Sequence, residues 1–472
     1  MDGGRRRLRV ALIYVGEPES ESRPVLSPPI GPQLLGTLLL EHGAEVELFD
    51  TRLQPAPVLV AALDDFDPHL VGFSYLSPNA EEAVALAKAV RQAGRVLIAG
   101  GVHVSIHTEA TLATGAFDCV VRREGESAIL DLYDRVAAGQ PVPSVVEGRA
   151  WPDLDTLPAY ADFGCYRGLY AESSGYRPVY LQLGRGCPMK CTFCELPNRS
   201  VFEPPRRRFR SVETVMNEVH EYVRRWGVDF VTIADPIATL NLPLLTGVVQ
   251  RMDAELPQVG LMFNGHVNRF DRALARTLGE AQVGRDREGQ RITVWFGFES
   301  GSQRLLEFMR KRTTVADGVR VAELCREHDV QVGANLLLGV PTETAEDYDA
   351  HHAFMAAVAP TFPNPNILNP LPGTEMYAYC AGNGLLRDPN DFSIWRDTDI
   401  AARGEGPVRG IDYERVLDTY RRYREPTESR AVAPEAGAFA PTGSAPAAAE
   451  QASSDGVAGG PPRYQPWAAN AE

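Results

Sequence analysis

Twice along this chain, short apolar runs rich in β-branched residues alternate with helical stretches, and that alternation constrains the fold more than any other feature. Parallel strands need a crossover between them, usually a helix, so such a series builds a parallel sheet buried on both faces. In the first series the apolar runs fall at 9–15, 45–49, 70–75, 95–99 and 118–121, with helical patterns at 33–42, 80–92 and 126–138. Leucines at 34, 35, 38 and 39 give the first of these helices a buried face. Five strands in this order predict a doubly wound α/β domain over 1–142, with any ligand at the carboxyl ends of the strands.

Residues 143–178, rich in Pro, Gly, Asp and Tyr without periodicity, read as a connector. The second series then has strands at 179–183, 230–234, 261–264, 293–298, 331–338 and 365–369, and helices near 211–226, 241–254, 271–280, 301–310, 315–328 and 344–358. Six β/α repeats are too many for another small sheet domain and too few for a closed eightfold barrel. They predict a partial, TIM-like (β/α)6 barrel over 179–380. Residues 381–424 read as a short capping segment, and 425–472, dominated by Ala, Pro, Gly and Ser, as a disordered tail.

A net charge of −15 argues against a nucleic-acid or membrane-surface binder, since phosphate-rich partners attract basic faces. With no apolar run of membrane length and no leader pattern, the expected location is cytoplasmic. Seven cysteines, an odd number with three tightly clustered, suit a reducing compartment and a metal centre.

The cluster is "GRGCPMKCTFCELPN", residues 184–198, with Cys187, Cys191 and Cys194 directly after the first strand of the second series. A structural zinc wants four ligands and disulfides want pairs. Three thiolates on a short loop can hold three irons of a 4Fe–4S cluster and leave the fourth iron open for chemistry. Zinc completed by a distant ligand such as Cys165 or His266 is the competing reading. Cys119 and Cys325 read as small buried hydrophobes.

CxxxCxxC with Phe193 before the last cysteine, following the first strand of a β/α series, resembles the radical SAM superfamily. The resemblance implies that the open iron is chelated by S-adenosylmethionine, whose reductive cleavage gives a 5′-deoxyadenosyl radical. By the same resemblance Phe193, Glu299 in "FGFESGS" and Leu337 in "NLLLGVPTET" contact S-adenosylmethionine, Leu337 beside the adenine. "NPLPGTEMY", 369–377, resembles the family's sixth-strand region. Where related enzymes often carry paired acids after the second strand, this chain has Asp235 alone. Asn264 and His266 stand at the third strand's end, as cofactor or substrate contacts or as ordinary polar residues.

The domain ahead of the barrel resembles the flavodoxin-like (Rossmann-type) B12-binding module of cobalamin-dependent radical SAM enzymes. The residues that carry this are Ser74 and Leu76 after the third strand, Gly100 and Gly101 after the fourth, and Gly125 and Glu126 after the fifth. Many such modules place a cobalt-ligating histidine after the first strand. Here that loop, "VGEPESESRPVLSPPIG", has none, so the resemblance implies a cobalt whose lower face carries no protein histidine.

Together these resemblances imply cobalamin-dependent methylation of an unactivated carbon or phosphorus centre in specialised metabolism, on a small or carrier-bound substrate. An electron donor such as flavodoxin or ferredoxin would feed the cluster. A radical SAM dehydratase, rearrangement or ring-contraction enzyme is the alternative, and a non-catalytic iron–sulfur protein a second. The sequence singles out no catalytic residue.

Overall fold

The computed structural model describes residues 7–16, 28–163, 177–196, 207–284, 291–388 and 397–424. Cys165, the histidine-free stretch after residue 16 and the expected tail lie wholly or mainly outside the described residues.

The first unit is a six-stranded sheet in the order β2-β1-β3-β4-β5-β6. Its strands are β1 (Arg9–Val15), β2 (Glu45–Asp50), β3 (Leu70–Tyr75), β4 (Val96–Gly100), β5 (Cys119–Arg122) and β6 (Val145–Glu147), and every pairing is parallel. Strand order reverses beside β1, which opens a crevice at the carboxyl ends of β1 and β3. The five expected strands are present. The sixth, β6, pairs Val145 with Val120 and so extends the sheet into the segment read as a connector. Three half-exposed residues carry too little alternation to announce a strand. The helix Ala56–Phe66 was likewise not expected, because it buries only Leu59 and Leu63.

The second unit is a six-stranded parallel sheet in the order β14-β13-β12-β11-β10-β7. It contains β7 (Pro178–Leu181), β10 (Phe230–Ile233), β11 (Gly260–Gly265), β12 (Thr293–Glu299), β13 (Gln331–Leu338) and β14 (Phe362–Ile367). Consecutive strands are neighbours throughout, as in a partial barrel. Between β7 and β10, a two-residue antiparallel clasp, β8 (Gly184–Arg185) with β9 (Arg208–Phe209), closes the loop that carries the three cysteines. The last strand begins three residues earlier than expected and contains Pro363 and Pro365. Proline cannot donate to a ladder, and β14 tolerates two because it is an edge strand.

The units share a core. Leu34 and Leu38, on the helix Ile30–Glu41 of the first unit, are buried in the same apolar cluster as Val179, Leu181, Val215 and Tyr222 of the second. Each buried leucine contributes about 1.5–3 kcal/mol of hydrophobic stabilisation. Among the described residues, no helix is long and apolar enough to cross a membrane.

Candidate functional site

The cysteine loop leaves the carboxyl end of β7 through the β8–β9 clasp. Gly184 is required in that clasp, since a Cβ there would meet the Arg208 carbonyl oxygen at 2.6 Å. Beyond it, Cys187, Cys191 and Cys194 are all partly buried. Three backbone bonds shape the loop: Cys194 N–H donates to Cys191 O at 3.2 Å, Thr192 N–H to Met309 O at 3.0 Å, and Met376 N–H to Thr192 O at 2.8 Å. The loop is thus tied to the turn after the helix Gln303–Phe308 and to the helix Glu375–Gly382. Phe193 packs into one apolar cluster with Leu337, Leu305, Met309 and Met376, so two residues assigned separately from sequence come together.

Burial raises the pKa of all three thiols, that of Cys194 to about 11. The positive charge of Lys311 opposes this at Cys187 and Cys191 by favouring the thiolate. Among the described residues, no group of three His, Cys, Asp or Glu side chains converges on a point where one metal ion could sit. A 4Fe–4S cluster asks something different, one thiolate on each of three irons around an extended body. Three partly buried thiols on one anchored loop, beside a buried cation, suit that demand.

Glu299 ends β12 in the left-handed region, at φ 65°, where the β12–β13 register shifts. The strained turn faces its carboxylate to Lys311, which donates at 2.8 Å. Burial works against the charge on Lys311, yet Glu299 and Cys191 outweigh it and the ammonium pKa is raised. Sequence reasoning missed Lys311. Its signal is only a lysine twelve residues after Glu299, and nothing local joins them.

Asp235 is placed behind the loop. It accepts from Leu183 N–H at 2.7 Å, and burial pushes its pKa up to about 7. Asn264 donates to the Asp235 carbonyl at 3.1 Å, so it braces that turn. His266 Nδ1 accepts from Asn268 N–H at 3.2 Å and its backbone N–H donates to Thr239 Oγ1 at 3.0 Å, while burial and then Lys311 lower its pKa to about 4 and favour the neutral ring.

A buried network joins the loops after β12 and β13. Glu343 accepts from Gly339 N–H, Tyr348 Oη and His351 Nε2 at 2.6, 2.6 and 3.0 Å. His351 Nδ1 in turn accepts from Gly301 N–H at 3.0 Å. These bonds fix the turns that follow β12 and β13, and with them the strand ends carrying Glu299 and Leu337, relative to one another.

In the first unit, Ser74, Gly100 and the turn residue Gly125 gather at the carboxyl ends of β3, β4 and β5. Leu76 follows β3 and is 48% exposed, an apolar side chain left uncovered at the ligand edge. Gly101 stands at φ 106°, and a Cβ there would lie 3.3 Å from the Tyr75 carbonyl oxygen. At Gly100 a Cβ would meet nothing nearer than 3.7 Å. This open floor and the exposed Leu76 leave room for a large cofactor to approach the backbone at that edge. His103 and His107 are buried to different degrees behind that edge, with rings 4.7 Å apart and pKa values lowered to about 3 and about 4 by burial. Glu126, assigned from sequence to the cofactor, gives one carboxylate oxygen to Arg185 of the clasp, at 2.6 Å.

Residues 21–132 match the family model of the B12 binding domain, and residues 181–355 that of the radical SAM superfamily. An uncharacterized methyltransferase of Pyrococcus horikoshii is 25% identical over 78% of this chain and 81% of its own length. The anaerobic magnesium-protoporphyrin IX monomethyl ester cyclase of Cereibacter sphaeroides is 26% identical over 77% of this chain and 61% of its own. Among solved structures, the radical S-adenosylmethionine methyltransferase TsrM from Kitasatospora setae, with cobalamin and an iron–sulfur cluster bound, matches at TM-score 0.63. That match has 19% identity and covers 82% of this chain and 77% of TsrM, a likeness of fold.

Proposed function

We propose that this chain, which joins a B12 binding domain to a radical SAM domain, is a cobalamin-dependent methyltransferase acting on an unactivated carbon or phosphorus centre. Its substrate class is a small or carrier-bound molecule of specialised metabolism. The observation that carries the reading is that the two ligand edges touch. Glu124 and Glu126, in the turn after β5, bind Arg185 and Arg208 at the neck of the cysteine loop.

When bound, the 4Fe–4S cluster with S-adenosylmethionine supplies a carbon-centred radical, and cobalamin supplies a transferable methyl group. The chain's part is to hold, orient and shield. Cys187, Cys191 and Cys194 would each hold one iron and leave the fourth free for the cosubstrate. Glu299, paired with Lys311, presents a carboxylate to the polar end of S-adenosylmethionine, and Lys311 offsets the negative charge of the thiolates. Phe193 and Leu337 cover the adenine from one apolar cluster. Ser74, Leu76, Gly100, Gly101 and Gly125 line the cobalamin side. Burial of the groups between the edges keeps water from a reactive radical. A flavodoxin or ferredoxin serves as electron donor.

The methyltransferase among the relatives supports this reading, and the cyclase supports a second, a cobalamin-assisted ring closure. One experiment separates them without the substrate. The anaerobically reconstituted protein receives reductant, hydroxocobalamin and S-adenosylmethionine labelled with carbon-13 in its methyl group. The expected products are S-adenosylhomocysteine and labelled methylcobalamin. Formation of 5′-deoxyadenosine with neither of these favours the cyclase.

A further inference from the structure

The neck of the cysteine loop is built from two arginines placed against each other. Arg185 on β8 and Arg208 on β9 are register partners in an antiparallel pair. Like charges directly opposite destabilise such a pair, so a two-residue clasp of this kind cannot stand on its own ladder. Its counter-charge comes from the other domain. Glu124 Oε2 accepts from Arg185 Nη1 at 2.9 Å and from Arg208 Nη1 at 3.1 Å. The same oxygen accepts from Trp151 N–H at 3.0 Å, and Arg208 also donates to the Trp151 carbonyl at 2.5 Å. Glu126 Oε1 accepts from Arg185 Nη2 at 2.6 Å, and Arg185 Nε donates to Gln182 Oε1 at 3.3 Å.

All four side chains are at most 17% exposed. Burial opposes ionisation of Glu124, but Arg208 and Arg185 outweigh it and lower its pKa. Glu126 has one more feature. Its second oxygen, Oε2, is buried and accepts no hydrogen bond from a described residue. A buried carboxylate oxygen left unpaired is costly, and it sits on the turn where the B12 domain presents its ligand edge.

We propose that Glu124 and Glu126 are positioning residues that couple the two cofactor sites, Glu126 holding Arg185 with one oxygen and accepting an amide N–H of bound cobalamin with the other. The inference rests on the B12 and radical SAM reading and goes beyond it. Occupancy of one domain sets the order of the cysteine loop in the other. Because coupling of two sites is reciprocal, cobalamin tightens S-adenosylmethionine binding by the factor that S-adenosylmethionine tightens cobalamin.

The test measures the dissociation constant of S-adenosylmethionine on the reconstituted full chain, with and without saturating hydroxocobalamin. In the native protein cobalamin should tighten it by about fivefold or more. In Glu126→Gln the ratio should fall to about one, with iron content unchanged. Arg185→Gln should do the same, and the double variant should be no worse than either single, as residues in one network are non-additive. A native ratio of one with cobalamin bound overturns the proposal, as does Glu126→Gln with the native ratio. If no cobalamin binds, the B12 reading fails and the coupling fails with it. The latch is then judged alone, by hydrogen exchange over 184–196 in the cobalt-free chain. Faster exchange in Glu124→Gln supports it, and unchanged exchange overturns it.

Discussion

Lys311 donates to Glu299 across 2.8 Å, with 10% and 13% of their side chains exposed. Removing one partner strands a buried charge, which costs about 3–5 kcal/mol, whereas removing both costs far less. Lys311→Met and Glu299→Gln should each lower the urea midpoint, and the double variant should recover most of it. S-adenosylmethionine affinity should not recover: losing a charged hydrogen bond weakens binding roughly 10–100-fold. A double variant with native affinity would reduce the pair to scaffolding.

Replacing Cys187, Cys191 or Cys194 by Ala should abolish cluster-dependent cleavage of S-adenosylmethionine, since each deletion leaves an iron underligated. Cys119→Ala and Cys325→Ala should retain it. Both thiols are fully buried, and burial pushes each pKa to about 12, so neither offers a thiolate. Iron and sulfide analysis of the five variants checks the assignment.

Gly100→Val is the sharper probe of the cobalamin site. The protein itself leaves room at Gly100, so added bulk should exclude the cofactor while the fold stands. Gly101→Val strains the backbone whatever is bound, because of its φ of 106°. Loss of hydroxocobalamin binding in Gly100→Val, with cluster and thermal midpoint intact, is the expected result. Undiminished binding contradicts the placement.

Burial, then the neighbouring His107, lowers the pKa of His103 from 6.5 to about 3. The unfolded chain therefore takes up a proton below pH 6.5 that the folded chain refuses. Stability is fully present above that value and is lost as pH falls from about 6.5 toward 3, by up to about 1.4 kcal/mol per pH unit. Urea midpoints at pH 7.5 and 5.5 should differ less in His103→Asn than in the native chain. An identical difference would show that His103 does not carry the effect.

Much of this was legible because it is local. The cysteine spacing, Glu299 at the end of β12 and Leu337 near the end of β13 each stand in a pattern of a few residues, as do strands with continuous apolar runs. Lys311 was not legible, since only the bulge at Glu299 and the turn after Phe308 bring the two charges together. Nor was the bond from Glu126 to Arg185, which spans two domains and gives a residue read as a cofactor contact an interdomain tie as well. Strand β6 escaped notice for being three residues long, and the start of β14 because prolines hide an edge strand.

In the proposed function one chain holds an iron–sulfur cluster and cobalamin at edges that meet. The most direct measurement is paramagnetic resonance of the reconstituted chain carrying both the reduced cluster and cob(II)alamin. The expected spectrum has cob(II)alamin lines without nitrogen splitting from an axial histidine, and signals broadened by interaction between the two spins. A spectrum equal to the sum of each cofactor alone, or the absence of cobalt from a chain with its full complement of iron, would contradict it.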